Sequence, residues 1–193
     1  MSTRKQFIEQ GGFGLFSLLL MRDTFHPDFS DTEGIVVNEE EGEILQWPDR
    51  VTGDGTVRIT IKISKLNNTD TISFLSESFL PGDGIKVHKH SNEAELIFIH
   101  KGTGILTLGE KEHKVQQGSV ALVPKGIWHG LKNTGTENID MRFAYMPAGF
   151  EGYFRELGTP LGKPFVRRSV EEKRIIGRKW GIIRKEDVMP NEK

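Results

Sequence analysis

Four side chains in this sequence have the types and spacing of a metal-binding set. His88 and His90 stand two residues apart, so a β-strand turns both imidazoles to one face. Ser91-Asn92-Glu93 can reverse the chain, and Glu95 then opens the next strand, where its carboxylate can face the two rings. A third histidine, His129, follows in Pro124-Lys125-Gly126-Ile127-Trp128-His129. Three imidazoles and one carboxylate suit one divalent transition metal, Fe, Mn, Ni, Cu or Zn. An octahedral ion among these keeps positions open for water, dioxygen or substrate. Cysteine is absent, which excludes disulfides, thiolate zinc sites, iron–sulfur clusters and thiol nucleophiles. His26, His100 and His113 are expected to be structural or exposed. His100 has the opposite strand parity to Glu95, and His113 lies near a turn. Glu93 reads as a turn residue, with support of a ligand as its alternative role. Trp128 precedes His129, so alternation turns it away from the metal and into packing.

The elements that must hold these groups read as short strands. Val57–Ser64 alternates apolar and polar residues over its whole length, the pattern of a half-buried strand. Asn67-Asn68-Thr69-Asp70 is turn chemistry, and Thr71–Leu80 is a second strand ended by Pro81-Gly82-Asp83-Gly84. Glu95–Ile99, Gly104–Leu108, Ser119–Val123 and Ile139–Tyr145 follow, with Gly109-Glu110-Lys111-Glu112 at a hairpin turn. The 22 glycines and 8 prolines among 193 residues suit such an array and fit poorly in a helical bundle. The expectation is an antiparallel sandwich or barrel. Phe74, Phe79, Ile97, Ile99 and Phe143 are its candidates for core or pocket lining. After Pro147 the period changes: Phe150, Phe154 and Leu157 share one face of a helix that Gly158 can stop. Ser169-Val170-Glu171-Glu172 has the form of a capping box, opening a second helix from Val170 to about Trp180 with Gly181 at its end. Both helices are expected to cover the barrel.

Two longer motifs enclose the candidate ligands. The first is Gly, five residues, His-x-His, four residues, Glu, six residues, Gly, filled by Gly82, His88, His90, Glu95 and Gly102. The second is Gly, five residues, Pro-x-Gly, two residues, His, three residues, Asn, filled by Gly118, Pro124, Gly126, His129 and Asn133. With this pair of motifs the chain resembles the cupins, over roughly Val57 to Tyr145. The resemblance implies an all-β fold, a double-stranded β-helix or jelly-roll barrel, with His88, His90, Glu95 and His129 as metal ligands inside. More loosely, Thr71–Gly84 and Pro147–Gly158 are similar to segments of single-domain bacterial cupins like quercetin dioxygenases. That likeness implies a metal-dependent, dioxygenase-like oxidoreductase acting on a small organic substrate. Glu95 is then also the candidate catalytic proton acceptor, if its metal bond is labile. Two alternatives stand beside it: a binding or sensing module without turnover, and a cupin lyase or isomerase.

The rest of the chain bounds the context. Lys+Arg is 26 and Asp+Glu 27, a net charge of −1, which argues against nucleic acid as a partner and against adhesion to anionic lipid. Residues 1–21 carry Arg4-Lys5 and then an uncharged run from Gly11 to Met21, too short to span a bilayer. They admit two readings, a weak twin-arginine-like export signal or an apolar arm, so the compartment is periplasmic or cytoplasmic. Residues 22–56 read as a loop with one or two edge strands, 57–146 as the barrel and 147–193 as a helical extension. The cupin resemblance and the apolar arm both suggest a homodimer.

Overall fold

The computed structural model describes residues 34–47, 58–67 and 69–188. The expectations for residues 1–21 and for His26 fall outside them. The described residues form two antiparallel sheets. Elements in chain order are β1 (Glu43–Gln46), β2 (Arg58–Ile63), β3 (Ser73–Phe79), β4 (Gly84–His90), β5 (Ala94–Lys101), β6 (Thr103–Leu108), β7 (Lys111–Gln116), β8 (Val120–Val123), β9 (His129–Asn133), β10 (Ile139–Met146), α1 (Glu151–Leu157), β11 (Thr159–Pro160), α2 (Val170–Lys179) and β12 (Ile182–Arg184). The seven-stranded sheet has the order β11-β1-β2-β3-β10-β5-β8, and the five-stranded sheet β12-β4-β9-β6-β7.

Alternation along each strand decides what enters the space between the sheets. Leu75 and Phe79 of β3, Ile97 and Ile99 of β5, and Ile139, Met141 and Phe143 of β10 are all buried. Each such side chain contributes about 1.5–3 kcal/mol relative to remaining in water. Phe74 departs from the expectation. It has the opposite parity, so it stands half-buried on the outer face of β3 opposite Ala144. Two of the strands that escaped the sequence pattern, β7 and β9, did so for a physical reason visible in the sheet. β7 is the edge of its sheet and is wet on both faces, so Lys111-Glu112-His113-Lys114 carries no apolar period. β9 is short and mixes Gly130 and Lys132 into its run.

Close strand approach explains Gly84. A Cβ there would lie 2.0 Å from the Leu131 carbonyl oxygen, so only glycine lets β4 and β9 meet. The C-terminal segment follows its local signals. Phe150, Phe154 and Leu157 are buried on one face, and the N–H of Gly158 donates to the Phe154 carbonyl at 2.7 Å. The capping box is formed: Glu172 N–H donates to Ser169 Oγ at 3.2 Å, and Ser169 N–H to Glu172 Oε2 at 2.7 Å. Gly181 follows α2 with φ +75°. The segment is more than a helical cover, because β11 pairs with β1 and β12 with β4, adding a strand to each sheet. β1, expected near an edge, lies between β11 and β2.

Candidate metal centre

The two sheets deliver the ligand atoms from opposite sides. β4 turns His88 and His90 inward, β9 opens with His129 directly opposite His88, and all three imidazoles belong to the five-stranded sheet. Glu95, the first inward residue of β5, comes from the seven-stranded sheet. One ligand atom from each of the four lies within 4.8 Å of all the others. His90, Glu95 and His129 are each 2% exposed and His88 9%. The expected quartet is therefore assembled and dry.

Hydrogen bonds orient the rings. His88 Nδ1–H donates to the Lys86 carbonyl at 2.9 Å, and His129 Nδ1–H to the Ile127 carbonyl at 3.0 Å. Each bond fixes its ring so that Nε2 points to the centre. His88 Nε2 and His90 Nε2 are 3.2 Å apart. His129 Nε2–H donates to Glu95 Oε2 at 2.8 Å, and His90 Nε2 is 3.4 Å from the same oxygen. Burial, reinforced by the charges of His129 and His90, pushes the His88 imidazole down to about 3. Burial alone would raise Glu95, but its hydrogen bonds from His129 and His90 outweigh it and hold the carboxyl well below the usual carboxylate range. Burial opposes the cationic form of His129, yet the bond to Glu95 wins and raises its imidazole. So the carboxylate is anionic and His88 is neutral, the forms that bind a metal. The convergent Nε2 atoms, with the His88 and His129 rings already fixed at Nδ1, and one anionic oxygen fit a divalent transition metal.

The centre forms part of the wall of a cavity of about 900 Å³ between the sheets. Trp47, Phe143, Tyr145, Phe150, Tyr153 and Phe154 line it on one side. The ring centroids of Phe150 and Tyr145 lie 4.5 and 5.1 Å from that of His90, so the aromatic wall presses directly on a ligand. Of the apolar candidates, Phe143 lines the cavity, while Phe79, Ile97 and Ile99 are core. His100 and His113 are exposed, as expected. Trp128 packs under Lys89, whose Nζ stands 4.6 Å from the ring centroid. Glu93 is half-buried near His90. Burial raises its carboxyl, and Glu93 Oε2 and His90 Nδ1 are both buried without a hydrogen-bond partner among the described residues. Gly82, Gly102, Gly118 and Gly126 all have positive φ, as turn-makers should. Tyr145 was readable only as a strand end. Its register opposite Glu95 puts it beside the ligands, and burial pushes its hydroxyl well above the ordinary tyrosine value.

Comparison with known proteins agrees with this architecture. Residues 76–145 match the family described as Cupin domain. The chain is 29% identical over 116 residues to an oxalate-binding protein of Thermotoga maritima, covering 57% of this chain and 90% of that one. It is 32% identical over 72 residues to the uncharacterized protein YrkC of Bacillus subtilis, covering 34% of this chain and 39% of that one. Among solved structures, a predicted oxalate decarboxylase from Thermotoga maritima superposes with a TM-score of 0.51 at 24% identity, covering 58% of this chain and 99% of that one. The family match over residues 76–145 and the two-sheet barrel around both motifs support a cupin domain in this chain.

Proposed function

We propose that this protein is a metal-dependent cupin enzyme that takes a small organic substrate into the cavity beside His88, His90, Glu95 and His129. The observation that carries this reading is the placement of the quartet. Its four ligand atoms lie together, and three of the four residues, His88, His90 and Glu95, line a cavity of about 900 Å³, where an organic molecule has room beside the metal. A purely structural ion would be closed off by its protein ligands. The bound metal supplies Lewis acidity and open coordination positions, and with Fe, Mn, Ni or Cu it also supplies redox capacity. The chain's own residues do the rest. The Lys86 and Ile127 carbonyls hold the His88 and His129 rings in register. Phe150 and Tyr145 exclude water from one side of His90. Glu95, held low by imidazole hydrogen bonds, is a weak base while those bonds last and a stronger one only when freed.

Oxygenase chemistry is the reaction class tested first. Protein loaded in turn with Fe, Mn, Ni and Cu is offered flavonols and diketones under air, and dioxygen uptake is followed. Uptake with any pair supports the oxygenase; silence across the whole panel rejects it. A second reading, capture of a small acid without turnover, draws on the likeness to the oxalate-binding protein. Saturable oxalate binding with oxalate recovered intact favours that reading, and release of carbon dioxide favours a lyase. Wild-type protein that takes up none of these metals overturns the oxygenase and the lyase, and oxalate capture is then judged by binding alone.

The working assembly we propose is a homodimer. What supports it is the edge strand β8, whose outward Val120 and Leu122 are 63% and 57% exposed. Sedimentation of wild type against the pair Val120→Lys and Leu122→Lys tests it. A wild-type monomer sinks the idea, as does a double variant that stays dimeric.

A further inference from the structure

We propose that Arg184 forms, beside the candidate metal centre, a binding site for an anionic group, so that the cavity selects substrates carrying a carboxylate. This inference rests on the metal-dependent reading and adds its substrate class.

Strand register places Arg184. β12 pairs antiparallel with β4, setting Arg184 opposite His88 and Ile182 opposite His90. Directly opposed residues point to the same face, with Cα atoms about 4.5–5.5 Å apart. Ile182 is buried, which marks that face as the inward one. The Arg184 side chain therefore shares the inner face of the sheet with the His88 imidazole, and both line the same cavity.

Charge completes the case. The neighbouring charged groups are engaged: Lys86 Nζ holds Glu186 at 3.0 Å, and Arg174 Nε holds Asp187 at 2.9 Å. Arg184 has no hydrogen bond or ion pair from its guanidinium among the described residues. Five carboxylates line the cavity, Glu77, Asp83, Glu95, Glu112 and Glu186; of these Asp83 accepts the Gly84 N–H at 2.7 Å, Glu95 holds the imidazoles and Glu186 pairs with Lys86. Lys173 of α2 lines the cavity too. Burial first, and then the charge of Arg184, lowers its ammonium, so two cations share one wall. A guanidinium presents parallel N–H donors that match the two oxygens of a carboxylate. Nothing among the described residues fills that role at Arg184, and the cavity supplies the approach. Both β12 and α2 lie beyond residues 76–145, so the site belongs to the C-terminal segment of this chain and not to the matched domain.

The test uses full-length zinc-loaded protein, with malonate, oxalate and benzoate as anionic probes and malonamide as the neutral control. Binding is measured by calorimetry, with zinc content and melting temperature recorded for each variant. Wild type should bind at least one of the anions, and malonamide at least ~10-fold more weakly than malonate. Arg184→Gln should weaken that binding about 10–100-fold, the loss of one charge-assisted hydrogen-bonded pair, with zinc content and melting temperature unchanged. Arg184→Lys should recover part of it. The proposal is overturned if no anion binds wild type, if malonamide binds as well as malonate, or if Arg184→Gln binds like wild type. Failure of the metal reading looks different: wild type then takes up no zinc, while Arg184-dependent anion binding persists in the metal-free protein.

Discussion

His129 is the imidazole of the candidate centre whose cationic form is favoured. Both of its ring nitrogens face acceptors, the Ile127 carbonyl at 3.0 Å and Glu95 Oε2 at 2.8 Å, and although burial opposes the charge these bonds favour the imidazolium in the metal-free ring. A metal needs Nε2 unprotonated, so uptake should release a proton wherever the ring is charged, and affinity should rise with pH. A pH-stat titration checks this, and uptake without proton release contradicts it. The stability of the metal-free protein follows from the same shifts. His88 is pushed down to about 3 from 6.5, so between those values the unfolded chain holds a proton that the folded one refuses. Stability therefore falls as pH drops through that window. His129 is shifted up, so its contribution is complete below 6.5 and is lost as pH rises through its folded value. A maximum near pH 6–7 is expected in thermal melts, and His88→Gln should flatten its acid side. His129→Ala should cost at least ~10-fold in metal affinity, read by competition with a chromophoric chelator.

Strand contact explains why the ligands meet. His88 and His129 are partners across β4 and β9, and at the other end of that strand pair Gly84 lets the backbones approach because it carries no side chain. Gly84→Ala puts a methyl 2.0 Å from the Leu131 carbonyl oxygen, where β-sheet backbone has little room to yield. It should cost about 1–3 kcal/mol in urea unfolding and weaken metal binding together with stability. The helical segment should respond separately. Ser169→Ala removes the cap of α2 and should cost about 1 kcal/mol, with metal affinity unchanged. Joint loss of α2 stability and metal binding would show that the C-terminal segment supports the centre directly. The capping box was legible because it is a local pattern of four residues. β12 was not, because Ile182-Ile183-Arg184 is too short to show a period and gains its meaning only beside β4.

At the scale of the molecule the centre is a clasp between two sheets. Three of its ligands come from one sheet and Glu95 from the other, so a bound ion ties the barrel together. Metal that binds only the folded state should therefore raise global stability, by about 2.7 kcal/mol at a free concentration 100 times its dissociation constant. Calorimetric melts with and without chelator measure this, and identical melting temperatures would exclude linkage between metal and fold. Among the described residues no helix is long and apolar enough to cross a membrane.

The sequence by itself determined the parts with a short period or fixed local spacing. Alternation put His88 and His90 on one face and turned His100 away from Glu95, and the two motifs named all four members of the quartet. The missing cysteine reduced the candidate site to imidazole and carboxylate. Only the tertiary structure decided which strands pair, and that is a long-range choice that no local window contains. The closure of the sheets brought Glu95 to within 2.8 Å of His129, and the register of β10 set Tyr145 opposite Glu95. It also revealed that Arg184, nearly a hundred residues beyond His88 in the chain, stands beside it on the same face. An arginine in a three-residue strand has no sequence signature, and its environment comes wholly from the strand it joins.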